Sequence, residues 1–353
     1  MSTAISVTSP LVRAEGRIAW EETGAHCYWP ATHFTVRFRG TSLSACLTSW
    51  VMSCVNSLGV VCDGRLSMLP LKPCDDGVRR TLLLADSLAP EAVHTLILFK
   101  RQDDYHHFIL HGFETDGSFA GPAPLPALKL EFYGDSVTAG QVVEATDYTG
   151  RCDPPGHDGA MDNPWWSYAW QTARMLDARI VTAAQGGIAV FPGTGWFHWP
   201  DTIGMDTTWD RLCYFPEAGE LTGWDFSRYT PDVVVFAIGQ NDQHDTASDT
   251  NCLTVADPAY RAKWKAAYKA IAAGVASHYP AATKYVFITT VLMHDPVWDE
   301  AITECARELR EERGMQTYRF LFSRNGSATP GHPRISEQTE MARELTAFLR
   351  GIL

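Results

Sequence analysis

The segment Gly121-Pro122-Ala123-Pro124-Leu125-Pro126 separates two stretches of sequence with different periodicities. Its three prolines lack the amide hydrogen that a regular backbone ladder requires, so neither strand nor helix continues through it. The domain boundary is expected here, giving residues 1–126 and 127–353. From Trp20 to about Leu125 the apolar pattern has period two: Phe34, Val36 and Phe38 alternate with Thr35, Arg37 and Arg39, as on a half-buried strand. Leu43 to Leu47, Gly59 to Cys62, Val93 to Phe99 and Phe108 to Phe113 are further short strand candidates, and Asp63-Gly64 and Asp116-Gly117 are turn signals. The first half reads as an antiparallel β-sandwich.

After the break, strand-like apolar runs alternate with helical segments. The runs are Leu128 to Tyr133, Arg179 to Ala184, Val233 to Ile238 and Tyr285 to Leu292. Asn163-Pro164, Asp257-Pro258 and Asp295-Pro296 each offer a capping side chain followed by proline at the first helical position. Tyr260, Trp264, Tyr268, Ile271 and Val275 recur every three to four residues along one helix face, and Met341, Leu345, Phe348 and Leu349 mark a final helix. This alternation implies an α/β/α domain with a mostly parallel sheet, whose ligand crevice lies at the carboxyl ends of the strands.

The total of 353 residues accommodates two domains at roughly 150 residues each. With 41 acidic against 29 basic residues, the net charge of −12 argues against nucleic acid as a partner. No apolar run of about 18 residues is present, so no membrane-spanning helix is expected. The first twenty residues lack a basic start and apolar block, which makes the cytoplasm the literal reading and leaves export to a removed leader. Nine scattered cysteines without a CxxC pair read as reduced, mostly packed thiols rather than a zinc or disulfide framework.

The residues immediately after the apolar runs carry the chemistry. Gly134-Asp135-Ser136 places a hydroxyl in a glycine-flanked turn, although the G-x-S-x-G elbow of ordinary α/β-hydrolases is absent. The same serine would also serve as a helix cap. Gln185-Gly186-Gly187 brings bare backbone to the second strand end, as a tight turn also would. Gly239-Gln240-Asn241-Asp242 offers a side-chain amide, Asn241, to a developing oxyanion, or else an Asx turn. Gly331-His332-Pro333 holds one of twelve histidines on a loop before the last helix, a position that suits a base.

In this order, the Ser136, Gly186, Asn241 and His332 blocks resemble those of the SGNH hydrolases. The first half is similar to the sandwich domain of carbohydrate esterase family 2, through Gly16-Arg17, Trp29-Pro30, Phe38-Arg39-Gly40-Thr41-Ser42-Leu43, Asp63-Gly64 and Gly112-Phe113. The resemblance spans Gly16 to Leu349. It implies a jelly-roll-like domain followed by an SGNH domain, and removal of acetyl groups from polysaccharides, often at the sugar 6-hydroxyl. On this reading Ser136 is the nucleophile and His332 its general base. The Ser136 and Gly186 amides and the Asn241 side chain form the oxyanion hole, and no metal or other cofactor is called for. An acetylated carbohydrate is the expected partner, with neither nucleic acid nor membrane.

The sequence departs from the pattern in places. The superfamily's usual aspartate three residues before the histidine is Thr329, so a backbone carbonyl is expected to orient the imidazole instead. Gln240 and Gln185 stand where smaller residues are common. Trp165, Trp166, Trp196, Trp199, Trp209 and Trp224 are candidates for stacking on sugar rings, and Trp298 is expected to line the cleft. The competing readings are a general short-chain esterase, thioesterase or lipase, an acyltransferase, and a carbohydrate-binding protein that has lost catalysis.

Overall fold

The computed structural model describes residues 2–292 and 294–353. The chain forms two units: one is the chain up to Leu125 with Asp158–Ala160 and Leu212–Leu221, the other Pro126–His157, Met161–Arg211 and Thr222–Leu353. The proline-rich break lies at this division. The two later segments that return to the first unit carry no such local signal.

The first unit contains two six-stranded antiparallel sheets. One runs Ile18–Glu21, Gly24–Cys27, His106–Thr115, Leu43–Val51, Arg80–Ala85, with Thr3–Ser6 also pairing with His106–Thr115. The other runs Ser118–Phe119, His33–Arg39, His94–Lys100, Asn56–Cys62, Arg65–Leu71, with Arg13–Glu15 on His33–Arg39. Phe34, Val36 and Phe38 are fully buried, in one core with Leu47, Leu96, Leu98, Phe108 and Leu110. The alternation read from the sequence is thus the inward face of the sandwich. Asp63 and Gly64 have φ of 49° and 81°, and Cys62 pairs with Arg65 across them, as a two-residue hairpin of the right twist requires.

The second unit is built on a five-stranded parallel sheet. In chain order its strands are Leu128–Gly134, Ala178–Ala184, Val233–Ala237, Lys284–Phe287 and Gln316–Arg319, and across the sheet they run second, first, third, fourth, fifth. The fifth is a polar edge strand that no apolar run announced. Its Thr317 is buried and hydrogen-bonds the Ala306 carbonyl at 2.6 Å, so pairing and a helix contact hold it rather than hydrophobic patterning. The helix Pro258–Ala276 is capped by Asp257, whose Oδ1 accepts from the Tyr260 amide at 2.7 Å, and it buries Trp264, Tyr268, Ile271 and Val275. Asn163 caps a single 3₁₀ turn, Pro164–Trp166, and Ser167 caps the helix Tyr168–Met175 that follows. The helix after Asp295 starts at Val297 and the final helix covers Ile335–Ile352. Among the described residues no helix is long and apolar enough to cross a membrane.

Cys27, Cys213 and Cys305 are buried and Cys46 and Cys62 partly so, while Cys54, Cys74, Cys152 and Cys252 are exposed. Cys54, Cys152 and Cys252 lie in loops and Cys74 in the 3₁₀ turn Pro73–Asp75, where local sequence gives no measure of burial.

Candidate active site

The register of the parallel sheet brings three of the sequence candidates to one edge. Gly134 at the end of the first strand pairs with Ala184 of the second on one side and Ala237 of the third on the other. Neighbouring strands lie about 4.8 Å apart, so the three following loops emerge side by side. Ser136, Gly186 and Asn241 stand two, two and four residues beyond those paired positions.

Ser136 opens a one-turn helix, Ser136–Ala139, and is 4% exposed. Asp135 is its N-cap, in extended conformation, with Oδ1 accepting from the Val137 amide at 3.0 Å. The Gln141 amide closes the turn on the Ser136 carbonyl at 2.9 Å. At Gly186 a Cβ would lie 2.1 Å from Gln141 Nε2, so the bare backbone leaves room for that carboxamide. Asn241 donates one hydrogen of Nδ2 to the Ile188 carbonyl at 3.0 Å, which fixes the amide plane and leaves a second hydrogen.

His332 lies on the loop before the final helix. Its Nδ1 meets Asp153 Oδ2 at 2.7 Å, and its own amide donates to Asp153 Oδ1 at 3.0 Å. Buried Arg334 adds an ion pair at 2.8 Å to the same carboxylate. Burial would raise the Asp153 carboxyl, but donation from the imidazole, its charge and the Arg334 guanidinium hold it well below the usual carboxylate range. The expected backbone carbonyl is therefore replaced by a carboxylate. Gly331 makes the approach possible, because a Cβ there would stand 2.6 Å from Asp153 Oδ1. The His332 charge also acts on the Asp135 carboxyl, which caps the Ser136 turn.

Thr329, at the position where an acid is usual, has another task. Its hydroxyl lies 2.8 Å from both carboxylate oxygens of Glu337, and its amide donates to Oε1 at 3.0 Å. Glu337 in turn accepts from the Arg334 amide at 2.9 Å, completing the N-terminal cap of the last helix. An aspartate at 329 would face that carboxylate.

Among the described residues three other histidines pair with aspartates, and each has both ring nitrogens occupied. His94 meets Asp63 at 2.6 Å and the Ala89 carbonyl at 2.8 Å. His294 meets Asp299 at 3.1 Å and the Leu292 carbonyl at 2.7 Å, while His244 meets Asp249 at 3.2 Å and the Gly195 carbonyl at 2.7 Å. Nε2 of His332 has no hydrogen-bond partner among the described residues, so it alone of these four can exchange a proton with a ligand.

Trp298 does not line a cleft. It is 1% exposed in the first turn of the helix Val297–Arg313, edge-on to Trp264 at 5.1 Å and to Tyr260 at 6.2 Å between ring centroids. It is core, in line with Ala301, Ile302 and Cys305 on the same buried face. Trp209 packs on Phe226 and His278, and Trp224 is buried. Trp196 is 47% exposed and stacks on His244 with centroids 3.4 Å apart. Its amide donates to the Gly187 carbonyl at 2.8 Å, and a Cβ on Gly187 would lie 2.8 Å from Trp196 Cβ, so the two residues pack closely.

An antiparallel sandwich followed by a five-stranded parallel sheet is the fold of the solved two-domain esterases that this chain resembles. Residues 14–124 match the family described as carbohydrate esterase 2 N-terminal. The chain is 28% identical to cellulase/esterase CelE of Acetivibrio thermocellus over 98% of its own length and 40% of the relative's. It is 26% identical to an acetylxylan esterase/glucomannan deacetylase of Cellvibrio japonicus over 74% of this chain and 67% of that one. The solved structure of an acetyl xylan esterase, Est2A, from the rumen bacterium Butyrivibrio proteoclasticus superposes with a TM-score of 0.82 at 20% identity, covering 100% of this chain and 98% of the other. The match to the N-terminal domain of carbohydrate esterase family 2 is thus confined to the sandwich, and over the rest of the chain the similarity is to these individual esterases.

Proposed function

We propose that the protein is a serine carboxylic-ester hydrolase that removes acetyl groups from oligo- or polysaccharides. The observation that carries this reading is the 2.7 Å contact of Asp153 with Nδ1 of His332, which leaves Nε2 as the base. Ser136 Oγ attacks the acetyl carbonyl carbon while its proton passes to His332 Nε2. The oxyanion draws on the Ser136 and Gly186 amides and the remaining hydrogen of Asn241 Nδ2. Collapse breaks the bond to the sugar oxygen, which takes the proton from His332. Water then attacks the acetyl-serine by the same steps and acetate leaves. Asp153 keeps Nδ1–H donating and offsets the imidazolium charge in both halves of the cycle.

Two observations support a carbohydrate as the alcohol partner. The relatives are named as a cellulase/esterase and as an acetylxylan esterase/glucomannan deacetylase. Trp196, half-exposed and packed closely with Gly187, offers an aromatic face of the kind that covers the apolar side of a sugar ring. Trp196 was one of the tryptophans that the sequence offered for stacking on a sugar ring. The reading as a binding protein without catalysis rested on the missing acid at Thr329, and Asp153 removes that reason.

The experiment is acetate release from acetylated xylan and mannan oligosaccharides, alongside p-nitrophenyl esters of increasing chain length, by wild type and Ser136→Ala. Serine-dependent release favouring acetylated sugars supports the proposal. Full activity in Ser136→Ala removes the nucleophile assignment, and sugar binding by an inert wild type returns the protein to a binding role.

A further inference from the structure

Gln240 stands between the third strand and Asn241, and its carboxamide is engaged at both ends. Nε2 donates to Asp135 Oδ2 at 2.6 Å, and Oε1 accepts from the Thr290 hydroxyl, just past the fourth strand. Asp135 is fully buried, so a carboxylate oxygen left without a donor there would be strongly disfavoured. Its first oxygen is held by the Val137 amide and its second by Gln240.

We propose that Gln240, oriented by Thr290, is a positioning residue that holds Asp135 as an acceptor through both oxygens, and so fixes the turn that presents Ser136. The proposal deepens the esterase reading and rests on Ser136 as nucleophile. A smaller side chain at 240 could not reach Asp135 from this backbone position. That gives a reason for the long carboxamide, which the sequence alone marked only as a departure.

The groups facing Asp135 come from several elements. The Val137 amide and Gln240 donate to it, and the His332 charge favours its ionised form. Buried Asp242, after the third strand, is a like charge, and Tyr168, whose hydroxyl bonds Thr138 at 2.9 Å, lies within its field. Burial is the largest influence and pushes the Asp135 carboxyl up to about 6, with the Val137 and Gln240 donors opposing it. Without the Gln240 donor, Asp135 retains its proton to higher pH. Its second oxygen is then free to turn, the cap loosens, and the carboxylate facing the His332 imidazolium is lost.

The test follows Asp135 directly, by carbon-13 NMR titration of aspartate carboxyls in the full chain, with Asp135→Asn identifying the signal. The variant is Gln240→Met, which keeps the bulk but neither donates nor accepts. Its Asp135 midpoint is expected to rise by about one pH unit. On p-nitrophenyl acetate, kcat is expected to fall about tenfold with KM unchanged, and the acid limb of kcat to move to higher pH. Thr290→Val, which leaves Gln240 in place without its orienting hydroxyl, should move both readouts in the same sense by less. It serves as the test if Gln240→Met does not fold. An unmoved Asp135 midpoint, or a moved midpoint with kcat and acid limb unchanged, overturns the proposal. The NMR readout needs no turnover, so an inert wild type with a moved midpoint overturns the esterase reading alone.

Discussion

Two histidine–aspartate pairs of almost equal length lie in different units: His94 with Asp63 at 2.6 Å in the sandwich, and His332 with Asp153 at 2.7 Å beside the parallel sheet. Their chemistry differs because of the other nitrogen. His94 Nε2 is spent on the Ala89 carbonyl, so both ring nitrogens donate; donation to Asp63 raises this histidine's pKa despite burial. Its ring is held at both nitrogens on a strand of the sandwich. His332 has a carboxylate on Nδ1 and an open Nε2, the arrangement of a base. Distance to a carboxylate therefore identifies neither; the free nitrogen does.

The contrast can be tested by substitutions whose effects decrease in order. Ser136→Ala is expected to lower kcat/KM for acetyl esters by on the order of 10⁴-fold or more without change in thermal stability, as steady-state kinetics and calorimetry together would reveal. Asn241→Ala removes a proposed oxyanion donor and should lower kcat about 10² to 10³-fold with little change in KM. Thr329→Val separates the cap from the proposed catalytic residues. It deprives the buried Glu337 of a hydroxyl and should reduce urea-unfolding stability by about 1–2 kcal/mol, while kcat stays within about twofold.

His94→Gln should leave esterase kinetics unchanged and lower Tm by roughly 2–4 °C. The pH dependence has a definite sign. Because His94 has a raised pKa, its contribution is complete below the unfolded histidine value and is lost as pH rises through the folded one. Asp63 has a lowered pKa, so its share is lost as pH falls through its folded value. The Tm difference should be greatest near pH 5.5 and smaller at pH 8. Asp63 is 46% exposed, and solvent screening keeps the effect modest. A large kinetic effect of His94→Gln would erase the contrast between the pairs.

Much of the fold, and the sheet edge that carries the candidate site, was legible because local pattern and topology coincide there. Alternation at Phe34, Val36 and Phe38 identifies the sandwich face, and the apolar runs ending at Gly134, Ala184 and Ala237 identify three strand ends whose next residues form one edge. Asp153 was not legible. It sits 179 residues before His332, in a loop with Pro154, Pro155 and Gly156 that reads as an ordinary turn, and nothing local pairs the two loops. The sole signal near His332 was Gly331, whose missing side chain admits the carboxylate. Trp298 was misread for the opposite reason, since its neighbours three, four and seven positions on, Ala301, Ile302 and Cys305, already spelled a buried helix face. The polar strand Gln316–Arg319 lacks any alternation and takes its place by pairing with Lys284–Phe287.

The most direct test of Asp153 as the carboxylate behind His332 is kcat of Asp153→Asn on an acetylated oligosaccharide, with folding checked by circular dichroism. An asparagine keeps the shape but can stabilise the wrong tautomer, and kcat is expected to fall about 10³ to 10⁴-fold with KM nearly unchanged. A kcat within about threefold of wild type would show that His332 works without Asp153 and would contradict the assignment.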